Sequence, residues 1–243
     1  MASYAEIGLA RSLTYLADSQ AAISNNIANA TTHSYKRKTP VAQMRQNEFD
    51  TMLGSSLPTI TYSEATDFSA GSQRAGGKMN LALGDGQFLR VQNGHGTFYT
   101  RRGELIVNSE GELSTPGGDR YLGIAGLPVK VGGASELRIE RNGAVFGTVD
   151  KEDVQLGQLG VFQRPANSDF RPIGRSLYHD RANRDLVPEL APDVRQGYVE
   201  ESNVDVLREL VQMIGVQRSF GAATRAMSIL DQIQESYVSS MNR

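Results

Sequence analysis

The chain has no cysteine, which excludes disulfides and thiolate metal centres. It has no uninterrupted apolar run of the roughly 18 residues that a membrane-spanning helix needs. It has three histidines, His33, His95 and His179, in three separate regions and without the spacing of a ligand set. Neither sign of charge dominates: Lys+Arg 25 against Asp+Glu 27 gives −2, so no basic domain offers itself to nucleic acid or to an acidic membrane surface. Gly76-Gly77-Lys78 lacks the spacing and helix start of a phosphate loop, and Gly84-Asp85-Gly86 reads as a turn, not a dinucleotide fingerprint. No serine near His95 or His179 stands in a nucleophile elbow. Glu6 precedes any basic residue and no apolar h-region follows, so the pattern of a classical secretory signal is missing. Hence no catalytic residue, cofactor or metal is assigned.

What is present is 243 residues, 39% hydrophobic and 21% charged, enough for one large or two small domains. No proline follows Pro192, and Gly221 is the only glycine after Gly215. In that stretch Val206, Met213, Phe220 and Met227 repeat every seven residues, interleaved with Val216, Ala223, Leu230 and Tyr237. This a/d alternation predicts a long helix with a coiled-coil seam. Ser202 or Asn203 is its expected N-cap, with Asp205 in the first turn. A helix of about 35 residues spans ~50 Å.

A second such stretch runs from Ser3 to Ala30. Leu9, Leu13, Leu16, Gln20, Ile23, Ile27 and Ala30 step by four and three alternately, with one polar position at Gln20 that would set register. Ser24-Asn25-Asn26-Ile27-Ala28-Asn29-Ala30, with Thr31 and Thr32 after it, ends the helix, because Asn, Ser and Thr side chains compete for backbone hydrogen bonds. Residues 41–75 show no period and read as an extended arm, with Thr59-Ile60-Thr61-Tyr62 as a short strand.

From Gly76 the pattern is β. Asn93-Gly94, Glu110-Gly111 and Asn142-Gly143 are hairpin-turn signals. Strands at about ten-residue spacing between glycine turns argue for a small antiparallel sandwich or barrel. Lys36-Arg37-Lys38 and Arg101-Arg102 read as solvated faces, or, for the first, as partners of acidic residues on a neighbouring subunit.

Four motifs stand in one order: Asn25-Asn26-Ile27-Ala28-Asn29 before Tyr35-Lys36-Arg37; Gly84-Asp85-Gly86-Gln87-Phe88; Tyr99-Thr100-Arg101-Arg102-Gly103; and Gly197-Tyr198-Val199-Glu200-Glu201-Ser202-Asn203-Val204-Asp205, followed by Met213-Ile214 and Gln217-Arg218. This arrangement resembles the bacterial flagellar axial proteins, the rod, hook and hook-associated group. Ser34 stands where that group usually carries glycine, so a positive φ there would strain it.

The resemblance implies an α+β fold: a discontinuous helical, coiled-coil domain from both termini (1–40 with 197–243), an arm (41–75) and a central antiparallel all-β domain (76–196). It implies a basal-body rod subunit that assembles helically and transmits torque from motor to hook, exported by the flagellar apparatus without a cleavable signal. Its partners would be other copies and neighbouring rod or hook proteins. The length and single β domain favour the proximal-rod type, the Gly197–Val206 run with Gln217-Arg218 favours the distal, and the proximal is preferred. The implied contact residues are Leu9, Leu13, Leu16, Gln20, Ile23, Asn25, Asn26, Ile27, Asn29, Ser202, Asn203, Val204, Met213, Val216, Gln217, Arg218, Phe220, Met227 and Leu230. Short isolated helices are marginal in water, so the terminal segments are expected to be unfolded before assembly. Two other classes compete: a glycan-binding β module oligomerised by its ends, displaying Tyr99, Tyr121 and Phe146 on one face, and an enzyme on a β scaffold.

Overall fold

The computed structural model describes residues 4–45, 59–165, 168–181 and 186–241. In chain order the elements are α1 (Tyr4–Ala28), β1 (Lys38–Arg45), β2 (Thr59–Thr66), β3 (Gln73–Ala75), β4 (Leu81–Leu83), β5 (Gln87–Asn93), β6 (Gly96–Thr100), β7 (Ile106–Val107), β8 (Leu113–Ser114), β9 (Arg120–Tyr121), β10 (Leu137–Ile139), β11 (Ala144–Val149), β12 (Glu152–Gln158), β13 (Val161–Gln163), β14 (Phe170–Gly174), β15 (Leu177–Asp180), β16 (Val194–Gln196), β17 (Tyr198–Glu200) and α2 (Val206–Met241). They divide into two units, one of Thr31–Lys36 with Phe68–Asn203, the other of Met1–Ala30, Arg37–Asp67 and Val204–Arg243.

The first unit is built around an antiparallel sheet in the order β14-β15-β6-β5-β9-β8-β7, with β13 also paired to β5. Successive strand residues point to opposite faces, and β5 buries both. Leu89 and Val91 join an aliphatic layer with Leu81, Leu83, Leu113 and Val161. Phe88, next to Leu89 and on the opposite face, enters an aromatic layer of Phe68, Tyr99, Phe162, Phe170 and Tyr178. Its rings meet at favourable tilted and edge-on angles, with Phe88–Phe170 centroids 5.2 Å apart and Phe68–Tyr178 5.3 Å. Gly84-Asp85-Gly86 links β4 to β5, but these strands do not pair; β4 pairs with β16. Leu156 to Phe162 divides between two strands, β12 and β13, separated at Leu159-Gly160. Gly103 accepts a backbone bond from Leu81, and a Cβ there would run into the Leu81 carbonyl.

Charge lies inside this unit. Lys36, Arg101 and Glu200 have fully buried side chains. Lys36 Nζ donates to Glu200 Oε1 at 2.6 Å and to the Ser69 carbonyl at 2.6 Å. Arg101 Nε donates to Glu200 Oε2 at 2.8 Å, and its Nη1 to the Gln87 carbonyl at 2.7 Å. Ser34 has φ 57, so the turn does require the conformation that disfavours a side chain. Its backbone N–H donates to the Glu200 carbonyl and its hydroxyl to the Arg101 carbonyl. The solvated face read for Arg101 is thus corrected to a buried ion network; Arg102 is half-buried and pairs with Glu104.

The expected fold class, α+β with a coiled-coil domain, is also corrected. Strands dominate the described residues, which hold two helices, one near each end. No coiled coil is evident. A coiled coil inserts every a and d side chain as a knob, whereas Val206 is 39% and Tyr237 67% exposed. Apolar residues are spread around α2 instead of gathered in one stripe, and its one fully buried side chain is a carboxylate, Glu209. The central antiparallel β part fits. The segment read as an arm takes part in the β1–β2 ladder, which runs from Lys38↔Thr66 to Arg45↔Thr59 and begins three residues before it.

Glu200→Gln leaves an ammonium and a guanidinium buried without their counter-charge, which costs about 3–5 kcal/mol. The urea midpoint should fall accordingly at an unchanged m-value; a loss below about 1 kcal/mol would refute the network's role. A second prediction concerns Glu104. Burial alone would raise its pKa, but hydrogen bonds from His33 and Arg102 and the Arg102 charge hold it below the ordinary 4.5. Its folded pKa is depressed, so its contribution is present above pH 4.5 and is lost as pH falls through the lowered value. The Tm gap between wild type and Glu104→Gln should therefore shrink as the pH is taken below 4.5.

Candidate assembly surface

The second unit brings α1 and α2 side by side. The N-cap of α2 is Asp205, not Ser202 or Asn203: its Oδ1 accepts from the N–H of Leu207 at 3.1 Å and of Arg208 at 3.2 Å. Asn203 instead donates to the Ser69 carbonyl, inside the β unit.

One polar hub organises the helix pair. Asn26 on α1 and Glu209 on α2 are both fully buried. Asn26 Nδ2 donates to Glu209 Oε2 at 3.1 Å and to the Lys38 carbonyl at 2.8 Å, while its Oδ1 accepts from the Lys38 N–H at 2.9 Å. The amide thus pairs with both backbone groups of Lys38, as a neighbouring strand would. Arg37 Nε meets Glu209 Oε1 at 2.5 Å, and its Nη2 reaches Gln212 Oε1 at 3.0 Å. The basic run thereby finds partners within the chain: Lys36 with Glu200, Arg37 with Glu209, Lys38 with Glu64. Beside the hub a cleft of about 370 Å³ opens, lined by Tyr15, Leu16, Ile23, Pro40, Gln212, Gly215 and Val216.

The remaining implied contact residues fall into three groups. Ile23 is buried, and Leu9, Leu13, Leu16, Gln20, Ile27, Met213, Val216, Met227 and Leu230 are half-buried. Asn29 is half-buried and donates to the carbonyl and side chain of Asn25, which is exposed. Gln217, Arg218 and Phe220 are exposed, whereas Ser202, Asn203 and Val204 are half-buried ahead of α2. Sequence reasoning missed a second face. Leu207 (75% exposed), Leu210, Val211 (70%) and Ile214 follow the i, i+3, i+4, i+7 pattern of an apolar helix face. That signal was readable, but a heptad search assigns those residues to solvent.

Among the described residues no group of His, Asp and Glu is placed to hold a metal. His33 Nδ1 meets Glu104 Oε1 at 2.5 Å, His179 lies beside the Phe98 ring, and His95 is in the β5–β6 turn. The aromatics of the glycan-binding alternative do not share a face: Tyr99 is in the aromatic layer, Tyr121 in the aliphatic one, and Phe146 lies under Arg138.

Known proteins resemble the chain along most of its length. The family described as flagellar basal body rod FlgEFG protein C-terminal matches residues 195–241. Flagellar basal-body rod protein FlgG of Bacillus subtilis is 30% identical over 89% of this chain and 90% of its own. Flagellar basal-body rod protein FlgF of Caulobacter vibrioides is 28% identical over 98% and 97%, and that of Rhizobium meliloti 29% over 84% of each. Relatives of both names align, so the likeness carries the family and not the member.

Asn26→Ala removes the partner of two Lys38 backbone groups and of Glu209. Each buried group left unpaired costs about 1–3 kcal/mol, so we expect a loss of at least ~2 kcal/mol in chemical denaturation, with loss of far-UV helical signal. Asn25→Ala, at an exposed position, should remain within ~0.5 kcal/mol of wild type.

Proposed function

We infer the role of the chain from one premise: it belongs to the flagellar basal-body rod protein family. It is a structural subunit of the rod, its place is the flagellar basal body, and it assembles with other rod and hook proteins. The finer reading is ours. The chain works without catalysis, associates with copies of itself, and forms part of a helical structure that transmits torque from motor to hook. It reaches that structure through the flagellar export apparatus. Residues 1–40 with 197–243 are the assembling part, 41–75 connect, and 76–196 form the β-rich domain.

The observation that carries this reading is the outward face of α2. A helix of 36 residues that leaves Leu207, Leu210, Val211 and Ile214 in water is incomplete as a monomer. Burying such side chains contributes about 1.5–3 kcal/mol each, and a neighbouring subunit supplies the surface. Within the implied contact set, Asn25, Gln217, Arg218 and Phe220 are the members left exposed for neighbours. The half-buried members act through the helix pair that presents them.

The paired variant Leu210→Glu/Ile214→Glu tests this directly. Both positions are exposed, so the purified chain should keep the wild-type circular dichroism spectrum and Tm. In cells lacking the native gene, its amount in purified basal bodies should fall at least roughly tenfold, given the 1.5–3 kcal/mol lost per side chain, and swimming should fail. Normal incorporation with normal swimming would remove this face from the assembly.

A further inference from the structure

β12 ends the three-stranded sheet β10-β11-β12. It pairs with β11 along one side, and among the described residues no strand pairs with its other side. Its seven residues are all exposed or half-buried. Such an edge points unpaired backbone N–H and C=O groups outward and is a template for one more strand. A groove of about 710 Å³ opens beside it, formed by Leu156, Gly157 and Gln158 of this end of the strand and by Ile124, Leu127 and Val129. Val129 is buried, whereas Ile124 is 43% and Leu127 71% exposed. The bridge Gly123↔Leu159 ties the two sides together next to the end of β12. A carboxylate in this groove lacks a donor. Glu112 lines it with a side chain only 6% exposed, and its buried Oε2 accepts no hydrogen bond. Arg120 Nη1 stands 3.8 Å from that oxygen, outside hydrogen-bond reach. Lys130 also lines the groove, but it is exposed, and no ion pair joins it to Glu112 among the described residues.

We propose that this groove docks an extended segment of another protein as an added strand on β12, with aliphatic side chains in the groove and one Lys or Arg against Glu112. Three independent features each specify one property of the occupant. The open edge calls for main-chain hydrogen bonds, so the segment is extended; a helix would leave the edge unpaired. The Ile124, Leu127, Val129 and Leu156 lining calls for aliphatic residues, which alternate with outward polar ones along a strand. The Glu112 carboxylate calls for a cation, because a buried acceptor left without a donor is costly and a charged donor relieves it most. Main-chain pairing supplies affinity, and the carboxylate with the apolar lining selects the sequence. All of these residues belong to the β unit, so the proposal is independent of the rod role.

The test titrates the isotopically labelled full chain with synthetic peptides of the length of β12, in which Thr and Val alternate and Lys replaces each Val position in turn. Backbone amide shifts report where they bind. At least one Lys peptide should give saturable shifts in β12 and in residues 124–130. The same peptide with Glu for Lys, or with N-methylated backbone amides, should bind at least roughly tenfold more weakly, since each removes charged or main-chain hydrogen bonds. Glu112→Gln should weaken the Lys peptide by a similar factor. Leu127→Asp, at an exposed position, should weaken it too while leaving the rest of the spectrum unchanged, and it carries the protein side of the test if Glu112→Gln does not fold. No saturable shift with any Lys peptide would overturn the proposal, as would shifts confined to other surfaces, or equal binding by the Lys and Glu peptides. Shifts in β12 that grow with protein concentration in the absence of peptide would assign the groove to a second copy and overturn it as well.

Discussion

The Glu200 carboxylate, buried between Lys36 and Arg101, ties three distant parts of the chain together. Lys36 follows the end of α1, Arg101 leaves β6 in the middle of the chain, and Glu200 ends β17. Buried ions need full hydrogen bonding to be tolerated, and this network provides it: Glu200 Oε1 also accepts from the Gly71 N–H, and the arginine reaches carbonyls around the β4–β5 turn. Geometry of this kind is intolerant of slippage, so it sets the register between segments that sequence separation would otherwise leave loose. Two of the four places where the chain passes between units are joined as well, with the Asn203 N–H donating to the Tyr35 carbonyl at 3.4 Å.

The helix pair repeats the device on a smaller scale. Asn26, Arg37 and Glu209 converge from α1, the segment after it and the first turn of α2. Lys36 and Arg37 are adjacent, yet each pairs with a glutamate of a different unit, Glu200 and Glu209. The short basic run thus supplies Lys36 to one unit and Arg37 and Lys38 to the other. The polar hub specifies position, while the half-buried aliphatic residues beside it contribute area without sealing it.

Low burial along α2 is what a subunit of an extended assembly requires. A monomer with all its apolar surface satisfied has no reason to add neighbours, and one with a large unsatisfied patch aggregates. Here the exposed apolar residues are distributed along the helix. The β unit has both faces of its main sheet covered.

Hydrophobic spacing sufficed to read two helices, a β-rich middle and turns at Asn93-Gly94, Glu110-Gly111 and Asn142-Gly143, because these depend on local periodicity and backbone preference. The ordered motifs sufficed to read the flagellar axial family. Heptad spacing misled on the coiled coil, since a repeat of apolar residues states which side chains could interdigitate and not whether a partner buries them. The strain at Ser34 was legible only through the resemblance, which puts glycine at that position. That Arg101 is buried and Lys36 pairs with Glu200 was not, because burial of a charge depends on partners far away in sequence. Residue order by itself determined the elements and the kinship; only the tertiary structure decided which charges went inside and which face of α2 stayed in water, because both depend on contacts between segments that local pattern does not encode.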